Sequence, residues 1–152
     1  MEINILSVRR MENPDELASV AKHTDPYVRA AVASNRHTPL HVLDELSRDS
    51  DSRVRSCVAG NTVTRLLTLV VLGMRTPVDD ELMWPIFLPL AGNPTMTHRE
   101  IFQRIYARKQ WAECLRLVNH PSVPDDLLEK LANETNPDWE IIKQLAKERL
   151  RK

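Results

Sequence analysis

An eleven-residue pattern occurs twice in this chain, 26 residues apart, and it restricts the fold more than any other feature of the sequence. Asp25-Pro26-Tyr27-Val28-Arg29-Ala30-Ala31-Val32-Ala33-Ser34-Asn35 returns as Asp51-Ser52-Arg53-Val54-Arg55-Ser56-Cys57-Val58-Ala59-Gly60-Asn61. The shared skeleton is D-x-x-V-R-x-x-V-A-x-N. A weaker third copy ends in Leu90-Ala91-Gly92-Asn93, and a fourth reads Leu117-Val118-Asn119-His120, with His in the Asn slot. A unit this short cannot bury its apolar face alone, so the copies must stack on one another.

Each part of the skeleton has a helical reading. Asp is a good N-cap, and Pro26 suits the first helical position after it. Val28 and Val32, like Val54 and Val58, are four apart and share a face. Ala after the second Val lets a neighbouring helix approach closely. The closing Asn is expected in the left-handed conformation that ends helices, with Gly60 and Gly92 loosening the turn before it. A second helix follows each time. It is expected to begin at Pro39 after Thr38, with Leu40, Val42, Leu43 and Leu46, and at Pro124 after Val123, with Leu127, Leu128 and Leu131. Asn13-Pro14 opens a similar segment with Leu17 and Val20, and Thr97-His98-Arg99-Glu100 has the form of a capping box. Leu and other aliphatic side chains at i, i+3 and i+4 mark one apolar face in each. The intervening loops are a few residues long, which implies antiparallel helix pairs.

The run Thr38-Pro39-x-x-x-Leu43-x-x-Leu46-x-x-Asp49-x-Asp51-x-x-Val54-Arg55-x-x-Val58-Ala59-x-Asn61 resembles the leucine-rich repeat variant, a relative of HEAT repeats. The match is close over 13–64 and recognisable again over 115–145, while 65–114 departs from it. The resemblance implies an all-α fold, an α-solenoid (α-α superhelix) of about four to five HEAT-like helix-pair repeats. Some members of that group carry a cysteine-rich iron–sulfur segment; no such cysteines occur here, so no cofactor is carried over. A single domain over 1–152 is expected, with regular repeats at 13–64, a divergent repeat at 65–114, and a C-terminal repeat and cap at 115–152.

Composition narrows the function. Lys+Arg and Asp+Glu are 21 each, for a formal net charge of zero. Nucleic-acid binders draw most of their affinity from phosphate neutralisation and usually show a basic excess, so that class is disfavoured. Cys57 and Cys114 are the two cysteines, too few for a disulfide framework or a multi-Cys metal site. Met1-Glu2-Ile3-Asn4 lacks the basic opening of a secretory leader. The apolar stretches 66–74 and 82–92 fall short of the roughly 20 residues a membrane span needs. A cytoplasmic protein without a membrane segment is expected.

Candidate sites remain. Arg29 and Arg55 form a ladder that could grip an anion, but the first reading is structural, each pairing with its own capping Asp or with the equivalent Asp of the next copy. His37 and His41 have zinc-compatible spacing, yet Thr38-Pro39 puts His37 in a turn, so no metal site is expected. Cys57 takes the slot of Ala31 and reads as packing, as does Cys114. No Gly-rich phosphate loop, G-x-S-x-G, H-E-x-x-H or C-x-x-C occurs, and no catalytic residue is assigned. Residues 82–90 (Leu82-Met83-Trp84-Pro85-Ile86-Phe87-Leu88-Pro89-Leu90) carry no charge. Core packing is the first reading there; a surface for a partner or for self-association, anchored by Trp84 and Phe87, is the second. Trp111 and Trp139 read as core or cap residues.

The function expected is a non-catalytic protein-binding module, an adaptor, scaffold or inhibitory (immunity-type) partner. It would offer another protein or peptide a short concave helical surface, with Tyr27, Arg29, Arg53 and Arg55 on or near it. The alternative is a nucleic-acid-binding HEAT-like protein with the chemistry of a DNA-repair glycosylase, which would need a basic groove and a catalytic Asp.

Overall fold

The computed structural model describes residues 3–76 and 86–152, all helix, turn and loop. Eleven α-helices occur among them: α1 (Ile5–Arg9), α2 (Pro14–Val20), α3 (Pro26–Ser34), α4 (Leu40–Leu46), α5 (Ser52–Gly60), α6 (Leu66–Arg75), α7 (Phe87–Gly92), α8 (Arg99–Ala107), α9 (Trp111–Asn119), α10 (Asp125–Ala132) and α11 (Glu140–Leu150). A short 3-10 turn, Pro137–Trp139, leads into α11. The odd-numbered helices touch in succession, α1 on α3, α3 on α5, α5 on α7, α7 on α9 and α9 on α11. From α3 to α10, each even-numbered helix packs against a neighbouring odd one, and α6 also meets α8. There Gly73 is required by close approach, because a Cβ on it would lie 2.8 Å from Ile101 Cδ1.

Local capping explains where the opening helices start. Asp25 Oδ1 accepts from the Tyr27 N–H at 2.8 Å, and Asp51 Oδ1 from the Arg53 N–H at 2.8 Å. Asn13 does the same for Asp15 ahead of Pro14. Val28, Val32, Val54 and Val58 all lie in the core, as their spacing requires. Three expectations about helix ends need correction. Pro39 and Pro124 sit one position before their helices, which begin at Leu40 and Asp125. Thr97 makes no capping box: His98 is the N-cap of α8 and gives no side-chain cap. A capping box does form at the start of α1, between Asn4 and Ser7.

The third correction matters most. Asn35, Asn61 and Asn93 are extended, with φ of −78°, −77° and −82°, and Lys109 is the only described non-glycine residue at positive φ. The Asn is kept for its side chain, which is buried and runs between copies. Asn35 Nδ2 donates to Val8 O (2.8 Å) and Met11 O (2.9 Å). Asn61 Nδ2 donates to Ala33 O (2.8 Å) and Asn35 O (3.0 Å), and Asn93 Nδ2 to Ala59 O (2.7 Å) and Asn61 O (3.0 Å). Each Oδ1 accepts from the N–H two residues on, at His37, Val63 and Thr95. The carbonyls so satisfied belong to the last turn of the preceding opening helix or the turn after it, where intrahelical donors run out.

His120 continues this ladder. Its Nδ1 accepts from the Ser122 N–H at 3.1 Å, which leaves the hydrogen on Nε2 to be donated to Asn93 O at 2.8 Å. Arg149 closes it, donating from Nη1 to Val118 O and His120 O, the two carbonyls a further Asn would have taken. Burial pushes the His120 imidazole below its ordinary range, and the Arg149 charge adds to this against the pull of the Asn93 carbonyl. A histidine whose folded-state pKa is depressed stabilises the fold above its unfolded value near 6.5, and that stability is lost as pH falls. Thermal melts are therefore expected to shift down between pH 7 and pH 5. His120→Asn, which cannot titrate, should flatten that dependence, and an unchanged slope would show that other groups set it.

Candidate functional site

Tyr27 and Arg53 occupy the same slot, the second helical residue, in consecutive copies. Because α3 lies along α5, equivalent slots become neighbours, and the Arg53 guanidinium carbon stacks 4.0 Å from the centre of the Tyr27 ring. Arg53 is held from behind by Asp51, Nε to Oδ1 at 3.0 Å and Nη2 to Oδ2 at 2.7 Å. These bonds hold the Asp51 carboxyl at about 2. One aspartate thus caps α5 and fixes the arginine that orders the tyrosine. Tyr27 remains 53% exposed, so its ring is available to a ligand on the face Arg53 leaves uncovered.

Beside this pair runs an apolar groove of about 180 Å³, formed by Ile5 of α1, Ala30 and Ala31 of α3 and Cys57 of α5, with Arg9, Ser34 and Arg53 as its polar lining. Small side chains on α3 keep it open. Cys57 is half-buried in its wall rather than fully packed. Cys114 is wholly buried, and burial pushes its thiol up to about 12, so it is protonated at neutral pH.

Arg29 and Arg55 do not join the groove. Arg29 makes a two-pronged pair with Asp49, Nε to Oδ2 at 2.7 Å and Nη2 to Oδ1 at 2.8 Å, while Nη1 binds His23 O and Thr24 O. The partner is neither Asp25 nor Asp51 but a third aspartate beyond the end of α4. Burial pushes the Asp49 carboxyl up, and the Arg29 fork with the Asp51 N–H outweighs it and leaves it low. Arg55 Nη1 makes the matching carbonyl contacts, to Asp49 O and Ser50 O.

Phe87 is 1% exposed and belongs to the core, so it presents no docking surface. Of the stretch 82–90, residues 86–90 are described, and none of them is exposed. The reason is geometric: Ile86, Phe87, Leu90 and Ala91 fall on one helical face and turn inward together. Trp84 lies outside the described residues. Trp139 is buried, and Trp111 is 43% exposed at the start of α9. His37 Nε2 accepts from Arg36, and no group of three or more metal-binding side chains occurs among the described residues. None of the described helices is long and apolar enough to cross a membrane.

Among its described residues the chain is all-helical, and residues 26–51, the helix pair α3–α4 with its closing turn, match the leucine rich repeat variant family. The match begins at Pro26 and ends at Asp51, where the next copy starts. No curated protein and no solved structure matches the chain.

Proposed function

We propose that this chain is a non-catalytic protein-binding module, a short α-solenoid of four to five helix-pair repeats whose groove along α1, α3 and α5 receives a segment of a partner protein. The observation that carries this reading is the Tyr27–Arg53 stack beside an apolar groove. An exposed aromatic ring held in one orientation by a neighbouring arginine gives large contact area at little entropic cost, and Tyr and Arg dominate the energetic centres of protein interfaces. Helical repeats of this kind serve protein interaction in general, and a stack this short suits one peptide or one small domain. The partner would be met in the cytoplasm, as an adaptor, scaffold or inhibitory contact.

Affinity capture with wild type beside Tyr27→Ala plus Arg53→Ala tests the reading. Loss of about 2 kcal/mol or more of binding is expected, with little change in melting, because neither side chain is in the core. A captured partner that the double variant retains with full affinity would reject the groove as the binding surface.

A further inference from the structure

We propose that the cavity between the ends of α4 and α6 is a receptor for a carboxylate side chain of a partner chain, gripped by the Arg55 fork with Arg48 and Arg75. The protein itself shows the chemistry, because the preceding copy holds the same arrangement with its carboxylate in place. Arg29 anchors Nη1 on the carbonyls six and five residues before it, and presents Nε and Nη2 to Asp49. Arg55 anchors Nη1 on its own carbonyls six and five residues before it, Asp49 O at 2.8 Å and Ser50 O at 3.0 Å. Its guanidinium is thereby oriented in the same way, yet among the described residues no acceptor meets its Nε or Nη2.

Asp49 lies 14 residues after Asn35, and Arg75 lies 14 after Asn61, so among the described residues the position that supplies the carboxylate in one copy supplies a cation in the next. α6 also runs to Arg75, whereas α4 stops at Leu46 and leaves Asp49 in the following turn. The result is a cavity of about 220 Å³ lined by Arg48, Asp49, Arg55 and Arg75 among others. Both Asp49 oxygens are taken by Arg29, so among the described residues the lining brings three arginines to this space and no free anion. The nearby hydroxyls are committed, Ser47 Oγ donating to Asp44 O and Thr76 Oγ1 to Leu72 O. Arg48 and Arg75 are exposed at the rim, within reach of an incoming chain. A planar fork matches a carboxylate with two parallel bonds, as the Arg29–Asp49 pair demonstrates.

This site is separate from the Tyr27 groove, and its test does not depend on that groove. The probe is an acetylated, amidated hexapeptide carrying two glutamates, with the glutamine form of the same peptide and inorganic phosphate as comparisons. Binding is read by titration calorimetry and by the Arg55 Nε–Hε resonance. The glutamate peptide is expected to bind, to shift that resonance and to weaken as salt is raised, while the glutamine form neither binds nor shifts it. Arg75→Asp restores an acid at the repeat position and should weaken the peptide by about tenfold or more, with the melting temperature held or raised. Arg48→Ala, at the exposed rim, should weaken it about threefold without affecting folding. Tyr27→Ala plus Arg53→Ala should leave this peptide's binding intact. Equal binding of the glutamine peptide, or full binding by both pocket variants, would overturn the proposal. Phosphate binding more tightly than the glutamate peptide would overturn the carboxylate in favour of a phosphoryl ligand.

Discussion

Asn61→Ala is expected to lower the unfolding free energy by about 3 kcal/mol, far more than a polar-to-alanine change on a helical surface. The side chain bridges two copies from a buried position, donating to Ala33 O and Asn35 O and accepting from the Val63 N–H. Asn35 O keeps a second donor in the Thr38 N–H, but Ala33 O lies in the last turn of α3, beyond the reach of its own helix. Truncation leaves that carbonyl buried with no partner, at a cost of about 1–3 kcal/mol, and also removes the acceptor of the Val63 N–H. Urea denaturation at neutral pH measures the loss. Asn119→Ala serves as the control, because that exposed side chain bonds only to Leu115 O in its own helix. It should cost no more than about 0.5 kcal/mol. Asn61→His should recover part of the loss, as His120 fills the same slot. Equal losses at 61 and 119 would show that the ladder contributes no more than an ordinary surface contact.

That ladder marks the boundary of what the chain discloses in one dimension. Asp25, Asp51, Asn13 and Pro26 were readable because an N-cap acts on backbone two or three residues away. The valine spacing was readable because helical period alone decides which side chains share a face. The Asn slot is visible as a repeat position, but its place at a helix end points to termination rather than to a contact between copies. Its true acceptors lie 24 to 34 residues away, and only the stacking of copies brings them near. Arg29 was recognised as an ion-pair residue, yet its partner proved to be Asp49, since α4 ends early enough for the following turn to swing that carboxylate across. At the groove, Tyr27 and Arg53 each stand out in the sequence, but nothing local joins them as a pair. Overlaying the copies at the 26-residue period would have paired them, because identical slots on adjacent stacked helices become neighbours. Ala30, Ala31 and Cys57 gave no signal, since small residues that open a groove look the same in a string as small residues that close a core.

Phe87→Ala is expected to cost about 4 kcal/mol, the range for removing a fully buried aromatic ring. The apolar stretch around it admitted two readings, and they predict opposite outcomes. An interface anchor would leave stability intact when truncated and remove a partner. A core residue would destabilise the chain whether or not a partner exists. The structure favours the second through more than burial. The Arg108 guanidinium carbon lies 4.8 Å from the Phe87 ring centre, and Arg108 in turn holds Glu113 at 3.0 Å. Both charged side chains are under 10% exposed, and burial pushes the Glu113 carboxyl up against the pull of Arg108. The ring therefore forms one wall around a buried ion pair, and its removal admits water to that pair as well as opening a cavity. Phe87→Leu keeps most of the volume and should cost about 1.5 kcal/mol. The ratio between the two variants separates the readings: a core position gives a steep loss from Leu to Ala in denaturant melts, while a surface anchor gives neither loss. A melt of Phe87→Ala that coincides with wild type would return the 86–90 segment to the surface and require a different core for α7.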